Sequence, residues 1–176
     1  MIKHILGIGN ALTDMLVSLS SDDVLKQYQL AKGSMSLVDS QMQTDVLSSV
    51  AGCPYSLSLG GSAGNTIRAM ARLGTEVGFI GKVGNDSTGD FYIQALRNVN
   101  VAPYILRSEN QSGRCLSLVS PDGERTFVTH LGAALDLQAH DIDPMIFNEF
   151  RLPLVLAQAS PIFHSSCEGK LGIALE

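Results

Sequence analysis

Leu59-Gly60-Gly61-Ser62-Ala63-Gly64-Asn65-Thr66-Ile67-Arg68-Ala69-Met70-Ala71-Arg72-Leu73-Gly74 sets two adjacent glycines and a small hydroxyl residue directly before an amphipathic segment. Ile67, Met70, Ala71 and Leu73 recur at helical spacing on one face, and Arg68 and Arg72 stand one turn apart on another. Ser56 to Leu59 reads as a strand, so the glycines make a strand-to-helix turn. Glycines at a helix entrance let a ligand approach backbone N–H groups, and the helix dipole favours electron-rich atoms there. Asn65, in the first turn, offers an amide side chain to the same spot. A polar small-molecule site is the inference. The residues alone also allow a simple tight turn, with Ser62 capping the helix rather than touching a ligand.

Outward from that stretch, strands and helices alternate. Ile2 to Ile8 reads as a buried strand, and Leu12 to Leu19 continues with strand-like alternation. Asp22 to Tyr28 predicts a short helix with Ser21 as its cap, Met35 to Val38 a strand, and Ser40 to Ser49 a helix. Val77 to Val83 is a β-branched and aromatic run, hence a strand; Thr88 to Asn98 follows as a helix that Asp86 can cap. Ala102 to Leu106 and Gly113 to Val119 are further strands, Ser120-Pro121-Asp122-Gly123 is a turn, and Thr126 to Thr129 is the return strand. Asp141 to Phe150 is expected to be helical. Such alternation favours an α/β layer architecture with parallel strands.

Four segments, in order between Ile5 and about Asp136, resemble one family. Gly7-Ile8-Gly9-Asn10-Ala11-Leu12-Thr13-Asp14 is similar to the first strand of the ribokinase-like (PfkB) carbohydrate and nucleoside kinases. The Gly60-Gly61 stretch resembles their first signature. Gly81-Lys82-Val83-Gly84-Asn85-Asp86-Ser87-Thr88-Gly89 resembles their G-x-V-G-x-D-x-x-G segment, and Asp122-Gly123-Glu124-Arg125-Thr126-Phe127 their D-G-E-R hairpin. The spacing of Asn10 and Asp14 is similar to the adenosine-kinase branch. The resemblance implies a partial doubly wound α/β sheet over residues 1–150, with the segments at about 12–20, 34–39 and 102–130 forming a small β-sheet lid. It implies transfer of a phosphoryl group from ATP, with Mg²⁺, to a hydroxymethyl group of a sugar or nucleoside. Asn10, Asp14, Gly60, Gly61 and Asn65 would hold the ring hydroxyls, since one carboxylate can accept from two neighbouring hydroxyls. Arg125 would either approach the substrate from the lid or solvate the hairpin. Met35 and Phe127 could face the bound ring but are read as core, and Gln41 and Arg68 are read as surface residues.

Other function classes are disfavoured. A net charge of -5 provides no basic face for nucleic acid and no polybasic patch for a membrane surface. No apolar run approaches a membrane span. Cys53, Cys115 and Cys167 show neither a disulfide framework nor zinc spacing, which suits the cytoplasm. His4, His130, His140 and His164 show no metal-ligand pattern. Gly7-x-Gly9 is followed by Leu12 and a strand-like run, not the glycine and helix of a dinucleotide fingerprint, and no Walker sequence occurs.

The resembled family keeps its phosphoryl-transfer residues in a C-terminal half, on a Gly-Ala-Gly-Asp turn and an N-x-x-E segment, and neither is present here. No catalytic residue is therefore assigned, and the chain alone is expected to be inactive. Leu152 to Pro161 does not resemble the expected core strand, and His164 to Lys170 matches nothing expected of the family. Residues 151–176 are read as an atypical tail, from truncation or frameshift near Phe150. Half a doubly wound sheet would expose a strand edge and favour self-association, including a homodimer through the lid. The alternative is a non-catalytic sugar- or nucleoside-binding module, or one whose lid mediates an interaction.

Overall fold

The computed structural model describes residues 3–155. In chain order the elements are β1 (Lys3–Ile8), β2 (Leu12–Ser18), α1 (Asp23–Gln27), β3 (Met35–Leu37), α2 (Ser40–Ser49), β4 (Tyr55–Leu59), α3 (Ser62–Arg72), β5 (Val77–Gly84), α4 (Ser87–Asn98), β6 (Val101–Ser108), β7 (Gly113–Val119), β8 (Arg125–His130) and β9 (Phe150–Val155).

Four strands form a parallel sheet in the order β6-β5-β1-β9. β5 is buried almost throughout, as a parallel strand covered on both faces must be. On one face Ile67 of α3 and Tyr92 and Leu96 of α4 close over Phe79. On the other, Leu6, Ile8 and Ile80 meet Leu137, Ile142 and Phe150. Gly7 lets α3 sit close to β1, because a Cβ there would lie 2.8 Å from Ile67 Cδ1. The chain moves outward from β1 to β5 and β6, then returns to the other side of β1 for β9. That reversal is the switch point beside which open α/β sheets bind ligands, at the carboxyl ends of the strands.

Five strands form a second, mixed sheet in the order β3-β8-β7-β2-β4. Its outer face is covered by α1 and α2, which bury Leu25 and Val46 against Val17, Leu116, Leu118 and Val128. This sheet is the expected lid, with two differences in membership. Val101–Ser108 does not belong to it; β6 pairs with β5 in the main sheet, because α4 is the helical crossover that returns the chain parallel to β5. The lid's share of 102–130 therefore begins at Gly113. Conversely β4, expected only to lead into the glycine turn, is antiparallel to β2 at the lid edge.

Near the C-terminus, the helix expected over Asp141–Phe150 is present as a 3₁₀ helix at Pro144–Glu149, with Pro144 at its start and Asp143 accepting from the Met145 N–H. One expectation there is corrected. Phe150–Val155 is a strand parallel to β1, so the fold continues past the expected departure at Phe150. Residues 156–176, with His164, Cys167 and the His164–Lys170 segment, lie outside the described residues. No helix among the described residues is long and apolar enough to cross a membrane.

Candidate functional site

Asn10 follows the carboxyl end of β1 at the switch point and is buried, with 7% of its surface exposed. The chain then leaves the main sheet as β2, carrying Asp14 into the lid. Register fixes where Asp14 faces. Ser58, Asp14, Cys115, Thr129 and Leu37 are successive cross-strand partners from β4 to β3. Partners directly opposite point to one side of a sheet. That side is turned away from α1 and α2, since Val17, of opposite parity to Asp14, lies in the helix-covered core. Between this row and the start of α3 lies a cavity of about 430 Å³ lined by Asn10, Asp14, Gly61, Asn65 and Thr129, among others.

The two glycines do separate jobs. A Cβ on Gly60 would overlap the Asp14 carboxyl group, so only a glycine lets that carboxylate lie against the turn. The Gly60 N–H donates to the Leu12 carbonyl at 2.8 Å, tying the turn to β2. Gly61 has φ +77°, a conformation L side chains rarely adopt, and a Cβ there would strike the Asn10 carbonyl. Gly61 is also the N-cap of α3, and its carbonyl accepts from the Asn65 N–H at 2.9 Å. Ser62 is therefore the first helical residue, makes no capping bond, and lines the cavity instead.

Asp14 is half-buried, and burial pushes its carboxyl above the ordinary range while the Arg68 guanidinium pulls it back. Burial likewise raises the Cys115 thiol, against a hydrogen bond from Thr129 Oγ1 at 3.3 Å. Tyr92 is fully buried beneath the turn, where its hydroxyl donates to the Gly60 carbonyl at 3.5 Å.

Arg68 is not the surface residue expected. Its Nη2 donates to Asn65 Oδ1 at 2.8 Å and its Nη1 to the Leu59 carbonyl at 3.3 Å. The signal available in sequence was its spacing of three from Asn65, which puts both on one helix face. Met35 is not core either. It lies on a three-residue edge strand, 65% exposed, on the cavity wall with Leu37. Its cross-strand partner Phe127 is half-buried. Cys115, Thr129, Leu12 and Leu131 are lining residues that sequence reasoning missed.

Arg125 stands apart from the other expected residues. It is exposed, pairs with Val119, and lies four residues from Thr129 along β8, about 13 Å at strand rise. It does not line the cavity. Asp86 caps α4 as expected, accepting from the Gly89 N–H at 2.8 Å, the Ser112 N–H at 2.8 Å and Ser112 Oγ at 2.7 Å. Gln41 is a surface residue, donating to Asp45 at 2.9 Å. Among the described residues no group of three or more His, Cys, Asp or Glu could hold a metal ion.

A carboxylate, a glycine turn and an asparagine converging below a lid sheet are accompanied by a family match. Residues 37–166 match the family described as pfkB family carbohydrate kinase. The chain belongs to that family. The pfkB match also runs past Phe150, like β9. Probable fructokinase-6, chloroplastic, of Arabidopsis thaliana is 30% identical over 151 residues, covering 84% of this chain and 37% of the relative. The adenosine kinase from Sinorhizobium meliloti superposes with a TM-score of 0.73 at 28% identity, over 88% of this chain and 47% of that one. A probable sugar kinase protein from Rhizobium etli gives a TM-score of 0.75 at 28% identity, over 88% of this chain and 46% of that one. The chain thus spans less than half the length of these pfkB relatives, and its ribokinase-like fold is correspondingly partial.

Proposed function

We propose that this chain is the substrate-binding half of an ATP-dependent sugar or nucleoside kinase, and that by itself it binds substrate without turning it over. The observation that carries the reading is Asp14. It is a half-buried carboxylate on the cavity wall that accepts no hydrogen bond among the described residues, which leaves its acceptor oxygens for a ligand. Two vicinal hydroxyls supply two donors to such a group. Asn65 adds an amide and Asn10 a second polar group to the cavity lining, while Gly60 and Gly61 keep the approach free of side chains. Arg125 is left with a solvated role on the hairpin.

ATP and Mg²⁺ would supply the phosphoryl group and its charge neutralisation in the parent reaction. The described residues do not fit these groups, since they offer neither a metal-holding cluster nor a glycine-rich anion hole followed by an aspartate base. No transfer step is assigned to them. Two free thiols, Cys53 and Cys115, accord with a cytoplasmic location. A homodimer through the lid would have to pair the β3 or β4 edge, because α1 and α2 cover the outer face.

Calorimetric titration of the chain with adenosine, D-ribose and D-fructose tests the proposal. Binding of at least one of these that Asp14→Asn abolishes is the expected result. Failure of all three to bind would overturn the assignment of the cavity. ATP-dependent phosphorylation of a ligand by the chain alone would overturn the binding-only half.

A further inference from the structure

Resting on the proposed function, the geometry points to Arg68 as a positioning residue: it turns the Asn65 amide toward the ligand and places a fixed positive charge opposite Asp14. A guanidinium has only donors, so its bond at 2.8 Å must fall on the carbonyl oxygen of Asn65. The other half of that amide, the NH₂ donor, is thereby left for the cavity that Asn65 lines. The second Arg68 bond, to the Leu59 carbonyl, anchors the guanidinium at the end of β4, directly before the glycine turn. One side chain thus ties the strand before the turn to the first turn of the helix after it.

Three titratable groups act on or face Asp14 from the elements around it: Arg68 from α3, Tyr92 from α4 and Cys115 from β7. Of these only Arg68 carries a charge at neutral pH, and it opposes the burial that favours the protonated carboxyl. Without it, Asp14 would remain protonated to higher pH and would lose an acceptor for ligand hydroxyls.

The experiment follows the ¹³C carboxyl shift of Asp14 against pH in the free chain, and titrates adenosine, D-ribose and D-fructose by calorimetry, for wild type, Arg68→Met and Arg68→Lys. Arg68→Met is expected to raise the Asp14 midpoint and weaken binding roughly tenfold, the equivalent of about 1.4 kcal/mol. Arg68→Lys keeps the charge but not the planar fork, so the midpoint returns toward wild type while affinity stays reduced. A brace with no electrostatic part would leave the midpoint unmoved in Arg68→Met, and that result overturns the inference. Wild-type affinity in Arg68→Lys overturns the orientation of Asn65. If Arg68→Met does not fold, the Lys variant still decides, through reduced affinity at an unmoved midpoint. If the wild type binds none of the three ligands while Arg68→Met still raises the Asp14 midpoint, the role of Arg68 beside Asp14 stands and the functional reading is overturned instead.

Discussion

The Cα of Gly60 lies against the carboxyl group of Asp14, so closely that a methyl group there would sit 2.8 Å from Oδ2 and nearer still to Oδ1. Gly60→Ala forces Asp14 to another rotamer, because the neighbour that must yield is the carboxylate itself. Gly60 has no positive φ, so the alanine backbone is unstrained and the change acts through this contact. The expected outcome is a stability loss of about 1–3 kcal/mol. Affinity for the responsive sugar or nucleoside falls on the order of 100-fold, from two displaced hydroxyl–carboxylate bonds. Chemical denaturation and calorimetry on the same preparation separate the two effects. Unchanged affinity would remove Asp14 from the ligand.

Asp14 also links binding to stability with a definite sign. Burial holds its folded-state pKa above the unfolded value of about 3.9. The folded state then binds the proton more tightly than the unfolded chain does. That stabilisation is complete at low pH and is lost as pH rises through the folded pKa. Asp14→Asn does not titrate and escapes this loss, so the variant is expected to melt at or above the wild-type Tm at pH 7. The difference should shrink toward pH 4, while ligand binding is abolished at both. A variant that melts lower at pH 7 and recovers at pH 4 would reverse the sign and refute the burial argument.

What could be read from sequence was whatever depends on local chain chemistry. The glycine turn before α3, the capping Asp86 and the parallel strands β1 and β5 follow from periodicity and residue type within a few positions. Met35, Cys115 and Thr129 could not be placed that way. Their facing depends on the register of β3, β7 and β8, and a slip of one residue would turn each to the helix-covered side. Arg68 was hidden for another reason: an arginine on an amphipathic helix reads as solvated until its bond to Asn65 is seen. At 141–150 the expected helix forms as a 3₁₀ turn, with Pro144 at its start and the Asp143 carboxylate accepting from the Met145 N–H.

Asp86 makes a structural prediction independent of ligand. Burial would raise its pKa, but hydrogen bonds from the Ser112 N–H and hydroxyl and the Gly89 N–H outweigh it and hold the carboxyl below its usual value. Its stabilising contribution is present above the unfolded pKa and fades as pH falls through the lower folded value. Asp86→Ala removes the α4 cap and leaves the Ser112 donors without this acceptor. The expected loss at pH 7 is about 1–3 kcal/mol by urea denaturation, shrinking as pH falls below the ordinary carboxylate range. An equal deficit at every pH would mean that packing, not the carboxylate, sets the effect.

Met35 and Leu37 are expected to separate a nucleoside from a bare sugar in binding. Both are large apolar side chains, 65% and 61% exposed, on the cavity wall from the β3 edge. They lie beyond Thr129 on the lid, whereas Asp14 and the glycine turn occupy the polar end. A ligand confined to the polar end leaves them in water; one carrying a flat aromatic base can cover them. Burying such a side chain contributes about 1.5–3 kcal/mol. The double variant Met35→Ala/Leu37→Ala is therefore expected to lower adenosine affinity more than tenfold and to leave ribose affinity within about twofold. Equal losses for both ligands would show that the lid wall shapes the polar end, and equal retention would place the base elsewhere. Because neither side chain belongs to the buried core, the Tm should stay near wild type, so that a change in affinity reads the contact itself.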